Sequence, residues 1–78
     1  MFISLWRWVI VYMGGIGGEY PHSYYEFRLD EIVQELRSAD ISVHQFFIEV
    51  DGANVYAHVH VPMGKRTITR ELIEEAVQ

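Results

Sequence analysis

His58 and His60 are the residues of this chain whose type and spacing best suit chemistry. They lie two positions apart in a predicted strand, so both side chains project to one side, about 7 Å apart, and could share a metal ion. Strand alternation places His44 on the opposite face, where it cannot complete such a site. The alternative is two partly exposed histidines that bind nothing. Because further ligands would have to come from Gln45, Glu49 or Tyr56, we expect at most weak, micromolar Zn²⁺ or Ni²⁺ binding and no dependence of folding on metal.

The same stretch resembles the His-hydrophobic-His strand of the HUH-type rolling-circle and transposon endonucleases. A helix, a hairpin strand, the His-x-His, a proline and another helix follow in similar order over residues 30–77. The resemblance implies metal ligands at His58 and His60. That family also uses a nucleophilic tyrosine on a later helix, whereas no tyrosine follows Tyr56. This leaves, as an alternative function, an HUH-like metal-binding or nucleic-acid-binding domain.

Other arrangements that could support catalysis are incomplete. The glycines between residues 14 and 18 follow a strand, as in a dinucleotide-binding loop, but Tyr20 stands where that motif needs its third glycine. A flexible hairpin tip is the simpler interpretation of these glycines. The serines lack the context of a nucleophile elbow, and the chain offers little room for a closed pocket. We therefore predict no enzymatic activity and no cofactor.

The composition predicts one small domain over residues 1–78. A chain of 78 residues buries only roughly 60–65% of its unfolded surface, which is near the lower limit for unassisted folding. The absence of cysteine excludes disulfides and thiolate metal sites and is typical of a reducing compartment. The apolar N-terminal run contains Arg7, is too short for a membrane span and lacks the features of a signal peptide. We expect a cytoplasmic protein with no membrane partner.

The charge balance argues against a nucleic-acid partner. Eleven acidic and six basic residues give a formal net charge of −5, whereas phosphate backbones attract positive charge. The acidic residues concentrate on the two predicted helices, where they form either a solvated face or a surface that docks on basic protein. The candidate partner-binding residues of this acidic surface are Glu31, Glu35, Glu71, Glu74 and Glu75.

The first predicted strand, residues 2–13, is apolar on both faces. A strand with one solvent-exposed face alternates apolar and polar residues. The apolar pattern on both faces of this strand therefore predicts that both faces are covered. Two helices can cover only one face of the sheet, and the other is left for a partner. Arg7 keeps both orientations open, and we favour the one in which Trp6, Trp8 and Tyr12 point outward.

Residues 41–50 and 55–61 predict a β-hairpin, because they flank the turn sequence Asp51-Gly52-Ala53-Asn54 and alternate in polarity. One face of this hairpin suits a core: His44, Phe46, Ile48, Val50, Val55, Ala57, Val59 and Val61. The opposite face carries Gln45, Phe47, Glu49, Tyr56, His58 and His60.

The segment from Tyr24 to Leu29 reads in two ways. Its apolar and polar residues alternate, which favours a short strand followed by a helix from Asp30 to Ala39. Ser23 with Glu26 also forms a capping box, which would start the helix there. We favour the strand. A last helix, capped by Thr67 or Thr69, carries an apolar stripe of Ile68, Leu72, Ile73, Ala76 and Val77.

Together these elements predict an α+β fold: a mostly antiparallel sheet of three or four strands with both helices on one face, ordered ββαββα or βαββα. The sheet face opposite the helices is the expected contact surface, formed by Trp6, Trp8, Tyr12, Phe47 and Tyr56. By elimination, the sequence predicts a small acidic, non-catalytic protein-binding module.

In size, acidity and lack of cysteine the chain resembles the small inhibitors that phages and mobile elements direct against host nucleic-acid machinery, anti-CRISPR proteins among them. This resemblance implies a basic nucleic-acid-binding protein as the partner. A second copy of the chain, giving a homodimer, is the other occupant expected for the apolar sheet face.

Overall fold

The computed structural model describes residues 5–15 and 20–77 and shows a three-stranded antiparallel sheet with two helices. The elements are β1 (Trp6–Gly14), α1 (His22–Ser38), β2 (Gln45–Asp51), β3 (Asn54–Pro62), a 3₁₀ turn (Met63–Lys65) and α2 (Arg66–Ala76). β3 lies in the middle of the sheet, and β1 and β2 form its edges. The predicted α+β fold is confirmed, in its βαββα form.

The segment 24–29 is helical, so the strand predicted there is wrong. Strand alternation would bury Phe27 between Tyr25 and Leu29, whereas Phe27 is 66% exposed. The buried residues instead follow the helical spacing of about 3.6: Tyr25, Leu29, Ile32, Val33 and Leu36. Packing of this stripe against the sheet outweighs the local alternation.

α1 also starts earlier than its capping signals predict. The helix begins at His22, and the Pro21 carbonyl accepts the Tyr24 N–H at 3.0 Å. Proline suits this start because its fixed φ and missing N–H are tolerated at the beginning of a helix. Ser23 and Asp30 therefore lie inside the helix, and among the described residues no side chain caps it.

α2 packs most of its predicted apolar stripe against the core, where Leu72, Ala76 and Val77 are partly buried, and Ile68 is the exception. Thr69 and Ile73 are buried, whereas Ile68 is 42% exposed. Because the helix begins at Arg66, neither Thr67 nor Thr69 stands at the cap position. The Thr69 side chain enters the core, where its hydroxyl has no hydrogen-bond partner within the described part of the chain.

β2 and β3 form the predicted hairpin. Asp51 pairs with Asn54 across a turn in which Gly52 has a φ of 60°, a conformation that glycine adopts without strain. The core side of the hairpin is filled unevenly, because β2 is an edge strand: His44 and Val50, predicted on the core face, are exposed. The buried residues of the sheet are Val9, Val11, Val55, Ala57, Val59 and Val61. All of them except Val55 belong to one core cluster, which they form with Ile73 and the α1 residues Leu29, Ile32, Val33 and Leu36.

β1 pairs antiparallel with β3, and its register shifts between Tyr12 and Gly14. The chain then passes so close to the β2–β3 turn that a Cβ on Gly15 would overlap the Ala53 carbonyl oxygen. Gly15 therefore permits a close approach of two backbones, a more specific role than the flexible tip predicted for the glycine cluster. Residues 2–4 of the predicted strand and glycines 17 and 18 lie outside the described residues.

Candidate functional site

The side of the sheet that faces away from the helices is the candidate site, and we call it the open face. Because the buried residues of β1 and β3 alternate with exposed or half-buried ones, the latter project to this side. The pairing sets Trp8 beside His60, and His58 beside Phe47. The open face consists of Trp6, Trp8, Ile10 and Tyr12 from β1, Tyr56, His58 and His60 from β3, and His44, Gln45, Phe47 and Glu49 from β2 and the residue before it.

Ring contacts connect the three strands across the open face. Trp8 meets Phe47 edge-on with their centroids 5.4 Å apart, and Phe47 stacks on His58 at 4.5 Å. Nearer the other end of β1, Tyr12 packs edge-on against Tyr56 at 5.6 Å. The five aromatic residues predicted for the contact surface therefore share one face. Four large side chains here are 41–48% exposed: Trp8, Ile10, Tyr12 and Phe47.

The start of β2 brings His44 to the open face, so its predicted placement on the opposite face is wrong. Gln45 is the register partner of His60, yet His44 also donates its backbone N–H to the His60 carbonyl at 2.9 Å. Two consecutive residues thus face one residue of β3, which interrupts the alternation as in a β-bulge. The Nδ1 atoms of His44 and His60 lie 3.2 Å apart.

Two tryptophans pack around this histidine pair. The Trp6 ring contacts His44 and His60 with centroid distances of 5.2 and 5.7 Å. The Trp8 ring stacks on His60 at 4.5 Å with an interplanar angle of 23°. The imidazole of His60 therefore lies within an aromatic cluster at one end of the open face.

His58 and His60 share the open face but have different partners. His58 Nε2 lies 2.8 Å from the Glu49 carboxylate, whereas His60 Nδ1 faces His44. Within residues 5–15 and 20–77, no three or more His, Cys, Asp or Glu side chains are grouped to hold a metal ion. The two histidines that the sequence offered only as weak metal candidates therefore form separate hydrogen bonds, His58 with Glu49 and His60 with His44.

The predicted acidic residues lie on the helices and not on the open face. All five are exposed: Glu31 and Glu35 on α1, and Glu71, Glu74 and Glu75 on α2. Arg28 is 3.6 Å from Glu31 and forms a partly exposed ion pair with it. Since both helices pack on the core side of the sheet, the structure separates the acidic residues from the aromatic ones. One flat partner surface could not contact both sets.

Arginine side chains bind the outer edge of β1. Arg70 of α2 donates to the Ile10 carbonyl at 2.9 Å, and Arg7 donates to the Trp6 carbonyl at 3.0 Å. These carbonyls point away from β3, so the edge strand is partly covered by guanidinium groups. A groove beside this edge is lined by Trp8, Arg66, Thr67 and Arg70.

Two members of the open face were missed by the sequence prediction. Ile10 has the same alternation parity as Trp8, so the pattern alone could have included it. His44 had no such signal, because its position depends on a backbone hydrogen bond to His60, sixteen positions away along the chain.

Comparison with known proteins found no matching family model, no similar curated protein and no similar solved structure. No helix in the part of the chain that the structure describes has the length and apolarity to cross a membrane.

Proposed function

We propose that this chain is a small acidic, non-catalytic protein-binding module whose contact surface is the open face. The observation that carries the proposal is the joint exposure of Trp8, Tyr12 and Phe47 on one side of a sheet whose other side forms the core. Large aromatic side chains dominate binding energies because they bury much area with few rotatable bonds. Contact of such a surface with water is unfavourable. Covering it with a partner removes apolar area from water, and this stabilises the complex.

The exposed apolar area of the open face has the size of a functional surface patch. An aromatic side chain of 150–250 Å² that is 41–48% exposed leaves about 60–120 Å² in water. The three aromatic side chains and Ile10, which is exposed to a similar degree, together leave roughly 240–480 Å² in water, a size of patch that is often functional on a soluble protein. At about 25 cal/mol per Å², burying them contributes roughly 6–12 kcal/mol before the entropic costs of association.

The charges of the chain favour a basic partner. The acidic helices attract positive charge at long range, and this accelerates encounter and makes the association rate sensitive to salt. We infer that the partner is a basic nucleic-acid-handling protein that the chain inhibits by covering its surface, in the manner of phage and mobile-element inhibitors. The lack of cysteine is compatible with an encounter in the cytoplasm.

The alternative, an HUH-like metal-binding or nucleic-acid-binding domain that uses His58 and His60, has less support. The order of helix, hairpin, His-x-His, Pro62 and helix is present in the fold. However, the His58 ring nitrogen is engaged by Glu49, and the open face carries no lysine or arginine among its members. Single-strand binding surfaces interleave such cations with their aromatic residues.

The experiment compares substitutions on the two sides of the molecule. The tagged chain is used to capture its partner from a lysate of the organism that encodes it, and mass spectrometry identifies the partner. Calorimetry then measures binding for Trp8→Ala and Tyr56→Ala, with Phe27→Ala as the matched control on α1, where the ring is exposed but far from the open face. We expect at least about tenfold weaker binding for Trp8→Ala and unchanged binding for Phe27→Ala.

Circular dichroism establishes that each variant is folded. If Trp8→Ala and Tyr56→Ala are folded and bind as tightly as the parent chain, the open face is not the contact surface, and the acidic helices become the candidate. Sedimentation of the isolated chain tests the second copy as occupant. A concentration-dependent dimer that Trp8→Ala abolishes would identify the open face as a homodimer interface.

A further inference from the structure

The His44–His60 pair has the geometry of two ligands to one metal ion. Two metal–nitrogen bonds of 2.0–2.1 Å at a tetrahedral angle separate their nitrogens by about 3.3 Å. The two Nδ1 atoms lie 3.2 Å apart. We propose that His44 and His60 bind a divalent transition-metal ion through both Nδ1 atoms, Cu²⁺ most tightly and Ni²⁺ and Zn²⁺ more weakly. The pair lies on the open face, but the proposal rests on the geometry of the two imidazoles and does not require the proposed protein-binding function.

Metal binding at this pair needs a change of tautomer and a rotation of both rings, because the metal lies beside the line that joins the two Nδ1 atoms. In the metal-free chain, one Nδ1 carries the proton of the hydrogen bond and the other accepts it. When the donor ring carries its proton on Nε2 instead, both Nδ1 lone pairs become available to the metal. Both imidazoles remain neutral, so one hydrogen bond is replaced by two coordinate bonds, and no oxidant or reductant takes part.

The two rings are held together before any metal arrives. The hydrogen bond from the His44 backbone N–H to the His60 carbonyl, at 2.9 Å, fixes the relative position of the two backbones and so of the two Cβ atoms. Trp6 packs on both rings, and Trp8 stacks on the His60 ring. Ligands that are already ordered lose less conformational entropy on binding, and this preorganisation favours affinity.

The pair leaves coordination positions open. No third His, Cys, Asp or Glu side chain from the described residues joins the two imidazoles. Water or a group from a bound partner therefore completes the coordination, as in metal sites that keep an exchangeable position. Two ligands give a modest, micromolar affinity, and a chelator should leave the melting temperature of the chain unchanged.

The tryptophans provide the test. Trp6 and Trp8 both contact His60, so Cu²⁺ bound at this site should quench their fluorescence. The full chain is titrated with Cu²⁺ alone, and the titration is repeated with His44→Phe, His60→Phe and the control His58→Phe. Phenylalanine keeps an aromatic ring in each position and removes the ligand nitrogen.

We expect saturable quenching at one ion per chain, apparent affinities at least about tenfold weaker for His44→Phe and His60→Phe, and unchanged affinity for His58→Phe. A second measurement needs no substitution: Zn²⁺ should shift the Nδ1 resonances of His44 and His60 in ring ¹⁵N spectra and leave those of His58 in place. The proposal is overturned if quenching does not saturate, if His58→Phe weakens binding as much as His60→Phe, or if the His44 Nδ1 resonance does not respond.

Discussion

Thr69 carries a hydroxyl into a part of the core that offers it no partner. The side chain is 0% exposed, and Oγ1 has no hydrogen bond within the described residues. Thr69→Val replaces this hydroxyl by a methyl group of similar shape, and both residues are β-branched, so the helix propensity changes little. We expect the variant to be more stable than the parent chain.

The expected gain follows from the cost of burying an unbonded hydroxyl. Protein mutational data place this cost at about 1–3 kcal/mol, and the added methyl group gains some transfer free energy. Some relaxation around the new methyl group reduces the gain, so we expect the free energy of unfolding to rise by about 1–2 kcal/mol. For a domain of this size, that raises the melting temperature by about 4–16 °C.

Urea denaturation followed by circular dichroism measures the effect. The midpoint should rise while the slope m stays the same, because the surface exposed on unfolding is nearly unchanged. Thr67→Val is the matched control, since Thr67 lies in the same helix but is exposed; it should change stability by about 0.5 kcal/mol or less. A destabilised Thr69→Val would mean that the hydroxyl has a buried partner, such as water, and would refute the reasoning.

Two further predictions concern packing. Gly15→Ala should destabilise the fold by about 1–3 kcal/mol, because its new Cβ would overlap the Ala53 carbonyl; thermal unfolding checks this, and an unchanged melting temperature would count against the close approach. Gly64→Ala, which meets open space, is the control for that substitution. Ile73→Ala should cost about 2–5 kcal/mol in the same assay, whereas Ile68→Ala should cost about 0.5 kcal/mol or less; equal losses would contradict the orientation of α2.

The hairpin could be predicted because two local signals agree. A turn sequence around Gly52 and strand alternation on both sides specify the same pairing, and neither depends on distant parts of the chain. That one apolar face of β1 is left uncovered also followed from the sequence, since two helices cannot cover both faces of a sheet, whereas the outward position of Trp8 was only the favoured one of two orientations that Arg7 left open. The small side chains of Val9 and Val11 occupy the covered face instead.

The segment 24–29 could not be assigned from local pattern. Over six residues, a strand with Tyr25 and Leu29 on one face and the first turns of a helix give similar apolar patterns. The two differ in what happens to Phe27, which the helix exposes. The helical conformation of this segment is determined by the apolar stripe that continues to Leu36 and packs against the sheet.

The histidine pair was beyond local prediction for a different reason. Side chains alternate between the two faces of a sheet only while the strand keeps its regular pairing. In β2 the regular pairing with β3 ends at the first residue, Gln45. The side chain of His44 then turns to the face of His60. Where regular pairing ends is decided by hydrogen bonds to the neighbouring strand, which no periodicity in the residues before Gln45 encodes.

The arginine at the edge of β1 has a consequence for aggregation. The stretch Trp8–Tyr12 is uncharged and rich in β-branched and aromatic residues, a composition that forms fibrils when an edge is free to template another chain. A strand that adds at Ile10 must first displace Arg70 from its carbonyl, a hydrogen bond to a charged group worth about 1.5–3 kcal/mol. Because Arg70 belongs to α2, it protects the edge of β1 only while this helix is packed against the sheet. Undocking of α2 would leave the uncharged stretch Trp8–Tyr12 of this edge strand open to pairing with a second molecule.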